Sequence, residues 1–173
     1  GPVAHQFDIE RALLDPGTRR RLDQVQYALQ QPPVGAHGFA QVQVGIRTWN
    51  EDFMGFNIID APWVHAHGVS ATLERILSIV GTRPTYLTFD IDCLDPATAP
   101  GTGTPVPGGL TSHQALSIIR ALKGMDFKGM DVVEVSPPYD HAEMTSNAAA
   151  MIAVEMLCLK AWARGARGGE VSA

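Results

Sequence analysis

Two aspartates two residues apart, Asp90 and Asp92, close the run Thr85-Tyr-Leu-Thr-Phe-Asp-Ile-Asp-Cys-Leu-Asp-Pro96. Residues 85 to 91 are otherwise β-branched, aromatic or aliphatic, the composition of a strand buried on both faces of a parallel sheet. Side chains two apart in a strand point the same way, so both carboxylates are predicted to project together at the strand's carboxyl end. Like charges held that close are unfavourable unless a shared proton or a cation offsets them. A hard divalent metal ion is the simplest offset, because carboxylate oxygen is its preferred ligand. A lone Asp at a strand end would instead cap the following turn, the role expected of Asp95 before Pro96.

A third carboxylate, Glu134, interrupts the apolar run Met130-Asp-Val-Val-Glu-Val135 at the end of another predicted strand. It fits a buried carboxylate satisfied by backbone or Arg donors. It equally fits an anchor for a guanidinium group, whose planar fork pairs with a carboxylate bidentately. The stretch from Gly101 to Gly109 holds four glycines and two prolines. It lacks the lysine of a phosphate-binding loop and its prolines remove backbone donors, so it reads as a close-approach loop walling a site. His65 and His67 would share a face, and form a metal pair, only if the backbone there is extended; otherwise they are surface side chains. His113 in a first helical turn and His141 after Pro-Pro-Tyr-Asp140 read as surface or cap residues.

The elements that must position these groups alternate. Strands are predicted over Val42 to Arg47, Phe56 to Asp60, Thr85 to Ile91 and Phe127 to Val135. A helix capped by Ser70 is predicted from about Ala71 to Val80, with Leu73, Ile76 and Leu77 inward and Gly81 ending it. Thr111-Ser-His-Gln114 has the spacing of a capping box and opens a second helix, with Ala115, Leu116, Ile118, Ile119 and Leu122 inward and Gly124 closing it. A last helix runs from about Ala142 or Met144 to Trp162. Strands alternating with helices predict an α/β fold, three layers α-β-α around a mainly parallel sheet. Ligands of such sheets bind beyond the carboxyl ends of the strands, where Asp90, Asp92 and Glu134 fall.

Residues 1–41 have a different texture, Gln-rich with a cluster at Arg19-Arg20-Arg21 and a break at Pro32-Pro33. A thin apolar stripe (Leu22, Val25, Leu29) would allow a helix over roughly Gly17 to Leu29, and a disordered segment is the alternative. Residues 164–173 read as a flexible tail. The first residues, Gly1-Pro2, suggest a fragment, a processed chain or a tag remnant. A length of 173 residues, 45% apolar and 18% charged, suits one globular domain. The net charge of -5 gives no basic footprint for nucleic acid. No apolar run reaches membrane-spanning length. Cys93 and Cys158 form no CxxC pair and are expected as reduced thiols in a cytoplasmic protein.

The segments Phe89-Asp-Ile-Asp-Cys-Leu-Asp-Pro96, Gly101-Thr-Gly-Thr-Pro105, Gly108-Gly-Leu-Thr111 and Asp131-Val-Val-Glu-Val-Ser-Pro-Pro-Tyr-Asp140 together resemble the ureohydrolase superfamily. These are the manganese enzymes that include arginase and agmatinase. Val42-Gln-Val-Gly-Ile-Arg-Thr48 also resembles the family strand entering this region, and the fit is closest to agmatinase. The likeness covers residues 42–163 and corresponds to the C-terminal part of an arginase-like domain. It implies that Asp90 and Asp92 are ligands of a two-Mn2+ centre, that Thr104 lines the substrate pocket and that Glu134 anchors a guanidinium group. It implies hydrolysis of a small guanidino compound such as agmatine to urea and putrescine, in a cytoplasmic homo-oligomer.

The family's other four ligands stand in Gly-Gly-Asp-His and Asp-Ala-His-x-Asp segments, and neither occurs in this sequence. His37-Gly38 lies too near the following strand to match the family's catalytic histidine, so no catalytic residue is assigned. Impaired hydrolysis is therefore expected. The alternative is a non-catalytic remnant or interaction module of the same fold.

Overall fold

The computed structural model of the chain describes residues 40–49 and 56–168. The helix predicted over Gly17 to Leu29, along with His37, lies outside them. The elements in chain order are β1 (Val42–Val44), β2 (Asn57–Ile59), α1 (Ala61–Val80), β3 (Thr85–Asp90), α2 (Ser112–Ala121), β4 (Phe127–Val133) and α3 (Met144–Gly168). Short 3-10 turns follow β3 at Ile91–Cys93 and β4 at Pro137–Tyr139.

Both strand pairs are parallel: β1 pairs with β2, and β3 with β4 in the register Thr88↔Asp131 and Asp90↔Val133. Helix α1 packs on β1 and β2, α3 packs on β4, and α2 joins the two helices. Ile59, Val64, Ile76, Ile91, Leu94, Ile118 and Ile152 fill the core between them. The predicted α/β class with parallel strands is the one observed. Among the described residues, no helix is long and apolar enough to cross a membrane.

Four predicted boundaries are corrected. Helix α1 begins ten residues before its predicted start, because Asp60 accepts the Trp63 amide and Pro62 enters the first turn without needing a donor. Gly68, at φ 78, kinks the helix where Ser70 was expected to cap it, and the Thr72 hydroxyl bonds the Gly68 carbonyl there instead. Gly81 does end α1, its amide bonding Leu77 O, but Leu77 itself lies exposed rather than inward. Helix α3 continues to Gly168, so residues 164–168 are helical and not a loose tail. Both strands of the predicted site also stop early: β3 at Asp90 and β4 at Val133.

Helix α2 forms as its sequence predicts. Thr111 and Gln114 close a reciprocal capping box, and Ala115, Ile118, Ile119 and Leu122 are buried.

Candidate functional site

The early end of β3 changes how the two aspartates meet. Ile91–Cys93 turns as a 3-10 helix, so Asp92 leaves the strand and simple alternation no longer places it. Asp90 Oδ1 accepts the Asp92 amide at 3.0 Å and caps that turn, which brings the two carboxyls to one spot by another route. Burial pushes the Asp90 carboxyl well above the ordinary carboxylate range, and the charge of Asp92 beside it pushes the same way. Glu134 is near enough to add a smaller repulsion.

Thr104, in the loop after the turn, donates its hydroxyl to Asp92 Oδ2 at 3.0 Å. The loop is held by close backbone contact. Leu94 and Leu110 form a parallel bridge, with Asp95 N bonding Leu110 O and Leu110 N bonding Cys93 O at 2.9 Å each. A Cβ on Gly109 would lie 2.5 Å from Leu94 C and Asp95 N, so only glycine fits between them. Asp95 takes its expected capping role, accepting Ala97 N at 2.9 Å and also Gly108 N at 2.8 Å. Those two amide bonds hold its carboxyl below the usual range.

The segment after β4 is tied to the same loop. Glu134 is exposed and sits at φ 66, a left-handed conformation that disfavours any side chain. Two residues on, Ser136 N bonds Gly101 O at 2.8 Å. Gly101 N in turn donates to Thr145 Oγ1 at 2.7 Å, at the start of α3. Asp140 caps that helix start, accepting Thr145 N at 2.9 Å and both Ser146 N and Oγ, at 2.8 and 2.7 Å. Desolvation pushes the Asp140 carboxyl up, but the hydrogen bonds from Thr145 and Ser146 outweigh it and draw it down to about 2.

Asp90, Asp92, Thr104 and Glu134 thus occupy neighbouring segments at the carboxyl ends of β3 and β4. The histidines do not join them. His65 and His67 lie on α1 rather than on extended backbone, so they do not share a face, and both are exposed. His65 Nε2 bonds Gly109 O at 3.1 Å, while His67 stacks on Trp63 with ring centroids 4.3 Å apart. His113 and His141 are exposed, as expected.

Two features escaped the sequence reading. Arg47, just past β1, reaches into the turn that carries Asp92. Tyr86 donates to Asp131 Oδ2 at 2.8 Å across β3 and β4. Its hydroxyl is pushed up to about 12, by burial first and then by the Asp131 bond and charge. Gly129 leaves room for the Tyr86 ring, which a Cβ would meet at 2.6 Å. An aromatic facing a glycine in adjacent strands was the available signal, but it needs the strand register to be read.

The chain matches the Arginase family over residues 24–158. It belongs to that family. An agmatinase of Chromobacterium violaceum is 65% identical over 118 residues, which are 68% of this chain and 37% of that protein. An agmatinase of Salmonella paratyphi B is 55% identical over 124 residues, 72% of this chain and 40% of that protein. Among solved structures, a hypothetical agmatinase from Burkholderia thailandensis superposes with a TM-score of 0.73 at 57% identity. It covers 87% of this chain and 45% of its own. The chain therefore spans about 37–40% of the length of the curated relatives it matches.

Arginase-family membership implies a binuclear metal centre in general. The chemistry of the donor set here fits a metal in kind: two oxygen carboxylates, one largely buried, strained by each other's charge. In number it supplies only a share of a site. Among the described residues, no group of three or more His, Cys, Asp or Glu side chains is placed to hold one ion.

Proposed function

We propose that this chain carries the two-carboxylate and guanidinium-anchoring part of an agmatinase-type site, acting on a small guanidino compound such as agmatine. The observation that carries this reading is the joining of Asp90, Asp92 and Thr104 in one hydrogen-bonded group, with Glu134 close by in a disfavoured backbone conformation. Strain of that kind is retained where a side chain must be presented in one direction.

In this reading Asp90 and Asp92 would hold Mn2+. When bound, a divalent metal supplies a nucleophile from water at neutral pH. The remaining work falls to the chain's own groups. Thr104 spends its proton on Asp92 Oδ2, which leaves that carboxylate aimed by a neutral donor and its charge available to a cation. Glu134, exposed at the strand end, offers two oxygens to the guanidinium fork and fixes which face of the planar carbon meets the aspartates. Urea and an amine, putrescine from agmatine, are the products.

The test is Mn2+-dependent urea release from agmatine. Release that EDTA and Glu134→Gln both abolish supports the reading. The lack of a third ligand among the described residues favours a second one, a non-catalytic module of the same fold. No urea and no bound Mn2+ would select that second reading. Homo-oligomer formation belongs to the proposal as well, supported by Met151, Val154, Leu157 and Trp162 exposed along α3. Size-exclusion chromatography checks it, and elution as a monomer would count against it.

A further inference from the structure

Arg47 lies just beyond β1 and spends its guanidinium on main-chain carbonyls. Its Nε donates to Val106 O at 2.7 Å, its Nη2 to Asp92 O at 2.6 Å and Leu94 O at 3.4 Å, and its Nη1 to Gly45 O at 3.5 Å. Asp92 and Leu94 belong to the turn after β3, whereas Val106 follows Thr104 in the glycine-rich loop. One planar fork therefore ties two separate segments to the end of β1. Close packing brings it there: a Cβ on Gly45 would sit 3.3 Å from both Cys93 Cβ and Leu110 Cδ1.

We propose that Arg47 is a positioning residue that fixes the Asp92 turn against the Thr104 loop. Asp92 is then gripped twice, at its carbonyl by Arg47 and at its carboxylate by Thr104. Guanidinium suits this role because its donors sit in a rigid plane and stay charged at any working pH, so carbonyls of both segments are held in one geometry. A lysine ammonium has three donors on one atom and lacks the rigid planar fork that fixes acceptors of two segments in one geometry.

The significance of this clamp for metal binding rests on the reading proposed above, so two measurements are paired on wild type, Arg47→Lys and Arg47→Ala. The first is amide hydrogen exchange in EDTA, which needs no metal. Faster exchange at Leu94, Asp95, Gly108 and Leu110 in both variants, with α2 and α3 unchanged, is expected. Unchanged exchange in that segment, or a uniform rise across the protein, overturns the clamp. The second is Mn2+ titration followed by electron paramagnetic resonance. Arg47→Lys is expected to weaken Mn2+ roughly tenfold, the scale for losing a group that orients a ligand, while its thermal midpoint in EDTA stays within a few degrees of wild type. Equal Mn2+ affinity in variant and wild type overturns the inference. If wild type takes up no Mn2+, the functional reading falls, and the exchange pattern alone decides the clamp.

Discussion

The Thr104 hydroxyl donates to Asp92 Oδ2 at 3.0 Å, across twelve residues of sequence. A threonine in a glycine-rich loop and an aspartate in a 3-10 turn meet because the backbone between them is packed too tightly for side chains. Gly109 lies against Leu94 and Asp95, and Gly101 lies against Asp140. The glycines here do not supply flexibility. They permit contact, and the contact sets where the carboxylates and Glu134 stand.

Gly101→Ala should test that contact. Its Cβ would fall 2.6 Å from Asp140 Cα, a backbone atom that cannot swing aside. Forced overpacking of this kind costs roughly 1–3 kcal/mol, and the upper end is expected because the shift would also disturb the Gly101–Thr145 bond. Urea denaturation would show a lower midpoint with an unchanged slope.

Asp140 should carry part of the acid sensitivity. Its carboxyl is drawn down to about 2 in the folded chain, against roughly 3.9 when unfolded. A depressed carboxyl contributes stability that is present above the unfolded value and is lost as pH falls through the folded one. Thermal midpoints of wild type should therefore fall between about pH 4 and pH 2. Asp140→Asn should begin lower and lose less across that window; an identical pH slope would exclude Asp140 as the source.

Much of the frame could be read in the sequence, and the reasons are local. The capping box at Thr111 and Gln114, the turn cap at Asp95 and the helix stop at Gly81 depend on a few neighbouring residues, and all three form. Strand alternation, which the spacing of Asp90 and Asp92 predicts, is not what brings them together: a 3-10 turn does. The start of α1 is less legible: Ser70 offers a cap nearer the apolar stripe of Leu73 and Ile76, whereas the helix is capped by Asp60 with Pro62 in its first turn. Arg47 was beyond local reasoning: apart from the Gly45 carbonyl, its partners lie 45 to 59 residues away, and all are carbonyls, which leave no trace in side-chain spacing.

Asp90 should trade stability for binding. It is largely buried beside another carboxylate. Asp90→Asn keeps the Oδ1 acceptor for the Asp92 amide and removes a carboxyl that burial and the Asp92 charge hold well above its ordinary range. The cation-free protein should gain about 1 kcal/mol, a few degrees in thermal midpoint. The same variant should show no stabilisation by Mn2+. A drop in midpoint without cation would refute the repulsion argument.

Glu134 offers the same contrast through the backbone. Its left-handed φ of 66 suits glycine, so Glu134→Gly should be as stable as wild type or better, by up to about 1 kcal/mol. Agmatine binding by calorimetry in the presence of Mn2+ should be lost in that variant. Retained binding would remove the anchoring role.

The most direct measurement is Mn2+ uptake by the purified chain, followed by electron paramagnetic resonance against Asp92→Asn. Quenching of the free Mn2+ signal by wild type, and not by the variant, is the predicted result. A free signal undiminished by wild type would contradict the assignment of Asp90 and Asp92 as metal ligands.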